Sequence, residues 1–566
     1  MTAGPPGGWQ PDRPAATTAT SESPPVRVDL RSTAAAEAAQ QTAAKLAGDG
    51  VPAALAAGDP RLWGPAAQPE AQKRLSWLRA PEVSRALLPE IAELAERARF
   101  DGLEHIVLAG MGGSSLAPEV ITRTAGVPLT VLDTTDPHQV ARALTDRLDR
   151  TLVVVSSKSG GTIETDSHRR IYERAFAAAG ISGGQLARRF VVVTDPGSPL
   201  EAIASDSGYH VVRADPNVGG RYSALTAFGL VPGGLAGADV GRLLDEAAEA
   251  RGWLSGSDAT NPGLTLGAAL GGYALSGHDK AVMASAGSPI QGFGDWAEQL
   301  IAESTGKQGR GILPVAVASD DSPGFSPGPD IHLVGLGLPA RPVDTAVQGP
   351  LGAQFLVWEY AIALVGRVLG IDPFDQPNVA ESKENTAALL EQAGTGPLPT
   401  GEPAFIDGAV EVYADPDVLR DASDLPGVLD ALLWSPQPSG YLAIMAYLDR
   451  FGETSAPQLR DAIAARTTHP VTFGWGPRFL HSTGQYHKGG PQVGVFLQIT
   501  GSVEQDVEVP GRPFTLGRLQ LAQALGDLGA LRRRGRPAVR VHLRDRASGI
   551  AQLLAAAGTN PTGARS

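Results

Sequence analysis

Short apolar runs rich in Val and Ile alternate with longer amphipathic stretches from about residue 100 onward. The runs at 105–109, 129–133, 152–155, 190–194 and 209–213 are almost continuously apolar, and helical segments lie between most of them. A strand that is apolar on both faces belongs inside a parallel sheet covered by helices on both sides. The rhythm resumes with a strand at 281–284, a helix near 289–303, strands at 312–316 and 331–336, and helices near 350–370 and 376–395. Further on come 441–447, a helix near 457–465, and strands at 493–499 and 538–543. The pattern predicts an α/β fold with two doubly wound parallel-sheet domains and C-terminal α/β additions. The boundaries it suggests are a disordered N-terminus at 1–25, a helical lead-in at 26–100, a first domain at 101–255 and a second at 256–395. Residues 396–566 then form a C-terminal α/β region contributing to the second domain and the active site. Within it, the stretch 396–425, rich in Pro, Gly and Asp, reads as a connection.

A chain of 566 residues is too long for one ordinary core. The formal charge of −13 argues against a general nucleic-acid or acidic-membrane partner. The run Arg532-Arg533-Arg534-Gly535-Arg536 reads as a solvated surface turn. The chain has no cysteine, which excludes disulfides, thiolate catalysis and cysteine-ligated metals. No basic region followed by an apolar core marks a secretory signal. The most apolar helical stretch, 355–371, is short and carries Glu359 and Arg367, so it reads as a buried helix rather than a membrane span. A soluble cytoplasmic protein is the expectation.

Two turns carry phosphate-type chemistry. Gly110-Met111-Gly112-Gly113-Ser114-Ser115-Leu116 follows the first run and opens a helix. Glycines admit a ligand close to the backbone, and a helix N-terminus favours an anion. A dinucleotide fingerprint begins in the same way, and Asp133 lies at a suitable distance, but Ser115 stands where the third glycine belongs. The second turn, Ser156-Ser157-Lys158-Ser159-Gly160-Gly161-Thr162, follows the third run, and Thr162-Ile163-Glu164-Thr165 opens the next helix. Its hydroxyls and amides suit a phosphate monoester, whereas an N-cap explains only one hydroxyl. Thr305-Gly306-Lys307-Gln308 lacks the hydroxyl residue and spaced glycine of a nucleotide-binding P-loop.

Four further segments supply acid–base groups. Gln299 to Lys307 offers Glu303 at a helix end, and Gly219-Gly220-Arg221-Tyr222-Ser223 offers a cation on a glycine turn. Phe374 to Lys383 offers a lysine on a new helix, and His481 to Gly490 offers histidines in a polar turn.

Together with the two turns, these segments resemble the phosphoglucose isomerase family over about residues 100–395, with a patch near 481–490. The resemblance implies two sugar-isomerase (SIS-type) domains and a cofactor-independent aldose–ketose interconversion of glucose 6-phosphate and fructose 6-phosphate through an enediolate. It implies no metal and a small-molecule sugar-phosphate substrate, while a homodimer is one option for an oligomeric state the sequence does not fix. By the same resemblance, Gly113, Ser114, Ser157, Lys158, Ser159, Thr162 and Thr165 bind phosphate, and Gln299 contacts substrate. Glu303 matches the base between C2 and C1, Arg221 the group stabilising the enediolate, and Lys383 the lysine near the ring oxygens.

The histidine departs from the pattern. Family members place His-x-x-x-Gln between the glutamate and the Phe-Asp-Gln segment. Here that interval holds only His332, in the apolar run 331–334, which reads as a structural strand residue. His481 to Gln485 has the expected spacing much later, similar to the isomerase half of bacterial transaldolase–isomerase fusions. His481 is therefore the expected ring-opening acid, with His487 and Lys488 as second-rank candidates or ordinary surface residues. Three rivals stand beside this reading. One is a dual phosphoglucose/phosphomannose isomerase, which Thr305 beside the base could influence. Another is a non-catalytic sugar-phosphate sensor, and the third is a dehydrogenase.

Overall fold

The computed structural model describes residues 23–558, with the side chains of Val379 and Ala380 left aside. The expected disorder at 1–25 falls, but for three residues, outside that range. Sixteen strands are present among the described residues: β1 (Arg27–Leu30), β2 (His105–Gly110), β3 (Thr130–Leu132), β4 (Thr151–Ser156), β5 (Phe190–Thr194), β6 (His210–Arg213), β7 (Lys280–Ala286), β8 (Leu313–Val317), β9 (Ile331–Gly337), β10 (Thr345–Gln348), β11 (Phe405–Asp407), β12 (Val410–Tyr413), β13 (Tyr441–Tyr447), β14 (Val471–Trp475), β15 (Gly494–Gly501) and β16 (Ala538–Leu543). They form three sheets.

The first sheet runs β3-β2-β4-β5-β6 and is parallel throughout. Strands β2 and β4 are buried along their whole length. Successive side chains of a strand point to opposite faces, and each face here has its own core. Ile106, Leu108, Leu152 and Val154 join the lead-in helices, while Val107, Ala109, Val153 and Val155 fill the other side. From β2 the chain winds toward β3, and from β4 it winds the opposite way toward β5 and β6. The reversal therefore lies between β2 and β4, where Gly110 and Ser156 are register partners. Open α/β sheets bind ligands in the crevice beyond such a point.

The second sheet runs β1-β10-β9-β7-β8, with β1 antiparallel on the edge. The lead-in is thus not wholly helical, because its first element is a strand of the second sheet. The Thr33–Gly48 helix then packs on the Pro262–Leu275 helix, where Gly272 lies so close to Thr42 that a Cβ would meet its hydroxyl.

The C-terminal region holds a complete six-stranded sheet, β11-β12-β16-β15-β13-β14. The stretch expected to be a connection supplies β11 and β12, whose three and four residues are too short to register as apolar runs. Leu442, Ile444, Val495 and Val539 form a core on one face. Ala443, Met445 and Phe496 on the other face share a core with Val282, Leu313 and Leu333 of the second sheet.

The Leu351–Leu369 helix is, among the described residues, the one long and apolar enough to cross a membrane, and 89% of its most apolar window is buried inside the chain. His332 is the strand residue expected of it: it is buried on β9, with Nε2 2.9 Å from Thr345 Oγ1 and its ring edge-on to Tyr273. The basic run is only in part a solvated turn, with Arg533 and Gly535 exposed. Arg536 is buried and donates to the carbonyls of Gly490 and Pro491, Arg534 pairs with Glu381, and Arg532 donates to the Tyr413 carbonyl. Arginine stems tolerate burial when guanidinium Nη atoms reach carbonyls, which composition alone cannot reveal.

Candidate active site

The two glycine turns leave β2 and β4 side by side at the reversal of the first sheet. Gly113 touches the Gly219–Ser223 turn so closely that a Cβ would stand 2.0 Å from Gly220 O. Gly112, at φ +53°, approaches Gln299 and His481 in the same way. Ser114 is buried and its amide donates to Met111 O at 3.1 Å. The first turn therefore packs three distant segments against one another.

On the second turn, Ser157 Oγ lies 3.0 Å from Thr162 Oγ1, and Ser159 Oγ accepts from Gly161 N–H at 3.3 Å. Gly160 needs both its φ of +68° and its missing side chain, since a Cβ would lie 2.7 Å from Leu200 N. Thr162 is the N-cap of the Ile163–Ala178 helix, yet its hydroxyl makes no capping bond. The first amides of that helix are thus open to an anion. Thr165 is buried with its Oγ1 unpartnered among the described residues. Lys158 is committed elsewhere: Nζ donates to Asp195 Oδ2 at 2.7 Å and to Pro216 O at 3.1 Å. Burial lowers its pKa against the opposing pull of Asp195.

Glu303 sits in the last turn of the Phe293–Thr305 helix and is buried. Gln299, one turn earlier, donates from Nε2 to Glu303 Oε2 at 3.2 Å and to the His481 carbonyl at 2.9 Å. Arg221 Nε lies 3.1 Å from the same Oε2. Its Nη atoms donate to Glu303 O at 2.6 Å, Pro373 O at 3.1 Å, Asp375 O at 3.1 Å and Gln376 Oε1 at 2.7 Å. Burial pushes the Glu303 carboxyl above its ordinary pKa, partly offset by the charges of Arg221 and His481. Gln299 Oε1 is buried and unpartnered among the described residues.

His481 closes the short helix Arg478–His481, and its Nε2 lies 3.3 Å from Glu164 Oε1. Glu164, buried in the first turn of its helix, also accepts from Gln523 Nε2 at 2.7 Å, and Gln523 Oε1 accepts from Thr135 Oγ1 at 2.7 Å. Burial opposes the Glu164 carboxylate, but the hydrogen bond and charge of His481, with Lys383, hold its pKa at about 2. Lys383 is exposed on the Pro377–Ala393 helix. With Thr162, Glu164 and His481 it lines a cavity of about 210 Å³.

Gln485, four residues after His481, holds this segment in place. Its Nε2 donates to Gly306 O and Asn378 Oδ1, both at 2.9 Å, and Oε1 accepts from Asn378 N at 3.0 Å. His487 and Lys488 are not surface residues. His487 is buried 2.9 Å from Tyr441 OH, and Lys488 pairs with Asp527 at 2.7 Å. Thr305 is turned away from the cavity, with its hydroxyl donating to Ile301 O and accepting from Ile312 N.

The geometry adds Glu164 and Gln523 to the residues expected from sequence. Glu164 stands inside the second turn's motif and could have been read there. Gln523 lies in an unremarkable amphipathic helix and carries no local signal.

A family model described as phosphoglucose isomerase matches residues 95–308. That span holds both turns, Arg221, Gln299 and Glu303, and ends before Lys383 and His481. The chain is 29% identical over 389 residues to a glucose-6-phosphate isomerase from Rubrobacter xylanophilus, spanning 56% of this chain and 89% of the relative. It is 28% identical over 348 residues to a probable glucose-6-phosphate isomerase from Haloarcula marismortui, spanning 52% and 79%. Among solved structures, a glucose-6-phosphate isomerase from Chlamydia trachomatis aligns with a TM-score of 0.48 at 22% identity, over 55% of this chain and 74% of the other.

Proposed function

We propose that this chain, which belongs to the phosphoglucose isomerase family, interconverts glucose 6-phosphate and fructose 6-phosphate through an enediolate. The observation that carries the reading is the convergence, within one chain, of a buried carboxylate, a fixed arginine and a carboxylate-held histidine beside a hydroxyl-rich turn. A sugar-phosphate sensor needs only the turn.

In this reading the open amides after Thr162, with the hydroxyls of Ser157, Ser159 and Thr162, take the phosphate. Thr165 and the first turn at Gly113 and Ser114 shape the wall behind it. Gln299 and Arg221 both engage Glu303 Oε2, so Oε1 is the oxygen that takes the proton from C2 and returns it to C1. The raised pKa suits a group that must both accept and release that proton. Arg221 has its Nη atoms on protein oxygens, so it acts as a fixed positive charge that orients Glu303 and favours the enediolate over the neutral sugar. His481, oriented by Glu164, passes the C1 hydroxyl proton toward the ring oxygen, and Lys383 stands at the cavity mouth near the hydroxyls. The conversion moves hydrogen within one molecule and requires no redox cofactor. Such an enzyme serves glycolysis and gluconeogenesis in the cytoplasm.

The test is direct. Purified chain, without added metal or nucleotide, interconverts the two hexose phosphates, and Glu303→Gln lowers kcat by about 10²–10⁴-fold, the usual reach of a positioned general base. Near-normal turnover by that variant rejects the assignment.

A further inference from the structure

The third sheet repeats the winding reversal that places the candidate active site on the first. Its parallel strands lie in the order β16-β15-β13-β14. From β13 the chain passes through the Gln458–Ala464 helix to β14 on one side, and from β15 through the Leu516–Arg533 helix to β16 on the other. The reversal lies between β13 and β15, and a crevice beyond the carboxyl ends of such strands is where open α/β sheets take ligands. A cavity of about 410 Å³ opens at that end, within the size range of small-molecule sites. It shares no lining residue with the cavity holding His481 and Lys383.

Its walls decide what could enter. Leu398, Val503 and Leu521 give apolar surface. Thr500, Ser502 and His542 give a polar edge, the imidazole lying 3.0 Å from Thr500 Oγ1 and 3.2 Å from Ser502 Oγ. Burial, aided by Arg540, lowers the His542 pKa, so that edge is uncharged at neutral pH. The two charged side chains on the wall are already committed within the chain, Asp506 Oδ2 accepting from Thr515 Oγ1. Asp506 accepts from the amides of Val507 at 2.7 Å and Gly517 at 2.8 Å. Arg518 donates to the carbonyls of Gly396 at 2.6 Å and Gly394 at 2.8 Å. Asp506 thus already holds the N-terminus of the Leu516–Arg533 helix, where a phosphate would otherwise dock. No glycine-rich turn follows β15 in Ser502-Val503-Glu504-Gln505-Asp506.

We infer that this crevice is a second small-molecule site, for an uncharged planar heteroaromatic ligand of nucleoside type without its phosphates. Apolar walls receive the ring faces, and the Thr500–His542–Ser502 edge reads the ring or ribose edge.

Isothermal titration of the intact chain with adenosine tests this. Saturable one-site binding is expected, with AMP about ten-fold weaker or worse because its phosphate meets Asp506. Val503→Arg and Leu521→Arg each weaken adenosine by about ten-fold or more while hexose-phosphate isomerisation persists. Val503 lies on the loop after β15, so its variant carries the test even where Leu521→Arg perturbs folding. Absence of saturable adenosine binding overturns the inference. Unchanged affinity in Val503→Arg, or tighter binding of AMP than of adenosine, does so equally.

Discussion

In the proposed reaction Glu303 and His481 have separate tasks, and one neighbour, Gln299, has an amide that touches both segments. Ring opening needs a proton moved between the C1 hydroxyl and the ring oxygen, whereas isomerising an open chain does not. His481→Asn is therefore expected to slow cyclic substrate strongly and to spare a substrate that cannot cyclise. Equal loss on both reassigns the histidine to positioning. A second residue-scale prediction concerns Glu298, on the same helix. Its carboxyl is pushed up to about 8, first by burial and then by Asp295, while Oε1 accepts from Ala316 N–H at 3.2 Å. The folded state binds this proton more tightly than the unfolded chain, whose ordinary value is 4.5. The associated stability is complete below the ordinary value and is lost as pH rises toward and through the raised one. Glu298→Gln keeps the acceptor and cannot ionise, so its Tm should climb above that of the unaltered chain between about pH 5 and about pH 9. A Tm difference independent of pH rejects this account.

The glycine turns work as elements because they permit contact between backbones. Gly113→Ala would place its Cβ 2.0 Å from Gly220 O, next to Arg221. Overpacking of this kind costs about 1–3 kcal/mol, and here it also displaces the arginine from Glu303. The expected result is a lower Tm with kcat/KM reduced by about ten-fold or more. Normal kinetics in a destabilised variant would show that the turn's closeness serves packing alone. The turns were legible in sequence because strand ends, glycines and hydroxyls are local signals. Other features were not. The partner that fixes the role of Glu164 lies 317 residues away, and Gln523 reaches it from 359. The basic run misled in part because Arg532 and Arg536 bond carbonyls brought near only by folding, while Arg533 stays exposed.

At the scale of the whole molecule, the periodic apolar runs foretold the α/β class and the parallel first sheet, since both faces of its strands β2, β4 and β5 are buried. They did not foretell a third complete sheet, because two of its six strands are three and four residues long. That sheet serves packing and, in the proposed function, the active site as well. It covers Val282, Leu313 and Leu333 and carries the segment that ends in His481. A chain ending near residue 395 is therefore expected to lose isomerisation of cyclic substrate and to bind a hydrophobic dye strongly. A soluble, active truncation without dye binding would refute this dependence.

Strand β1 pairs with β10, Arg27 lying against Gln348. During synthesis β1 therefore lacks its sheet partner until more than three hundred residues have followed it. Contacts of such span are slow to form, because loop closure precedes any gain from them. The first sheet, complete by Arg213, can fold while the second still lacks its edge. The first sheet can thus mature ahead of the second, and β1 is among the last of the described strands to find its partner.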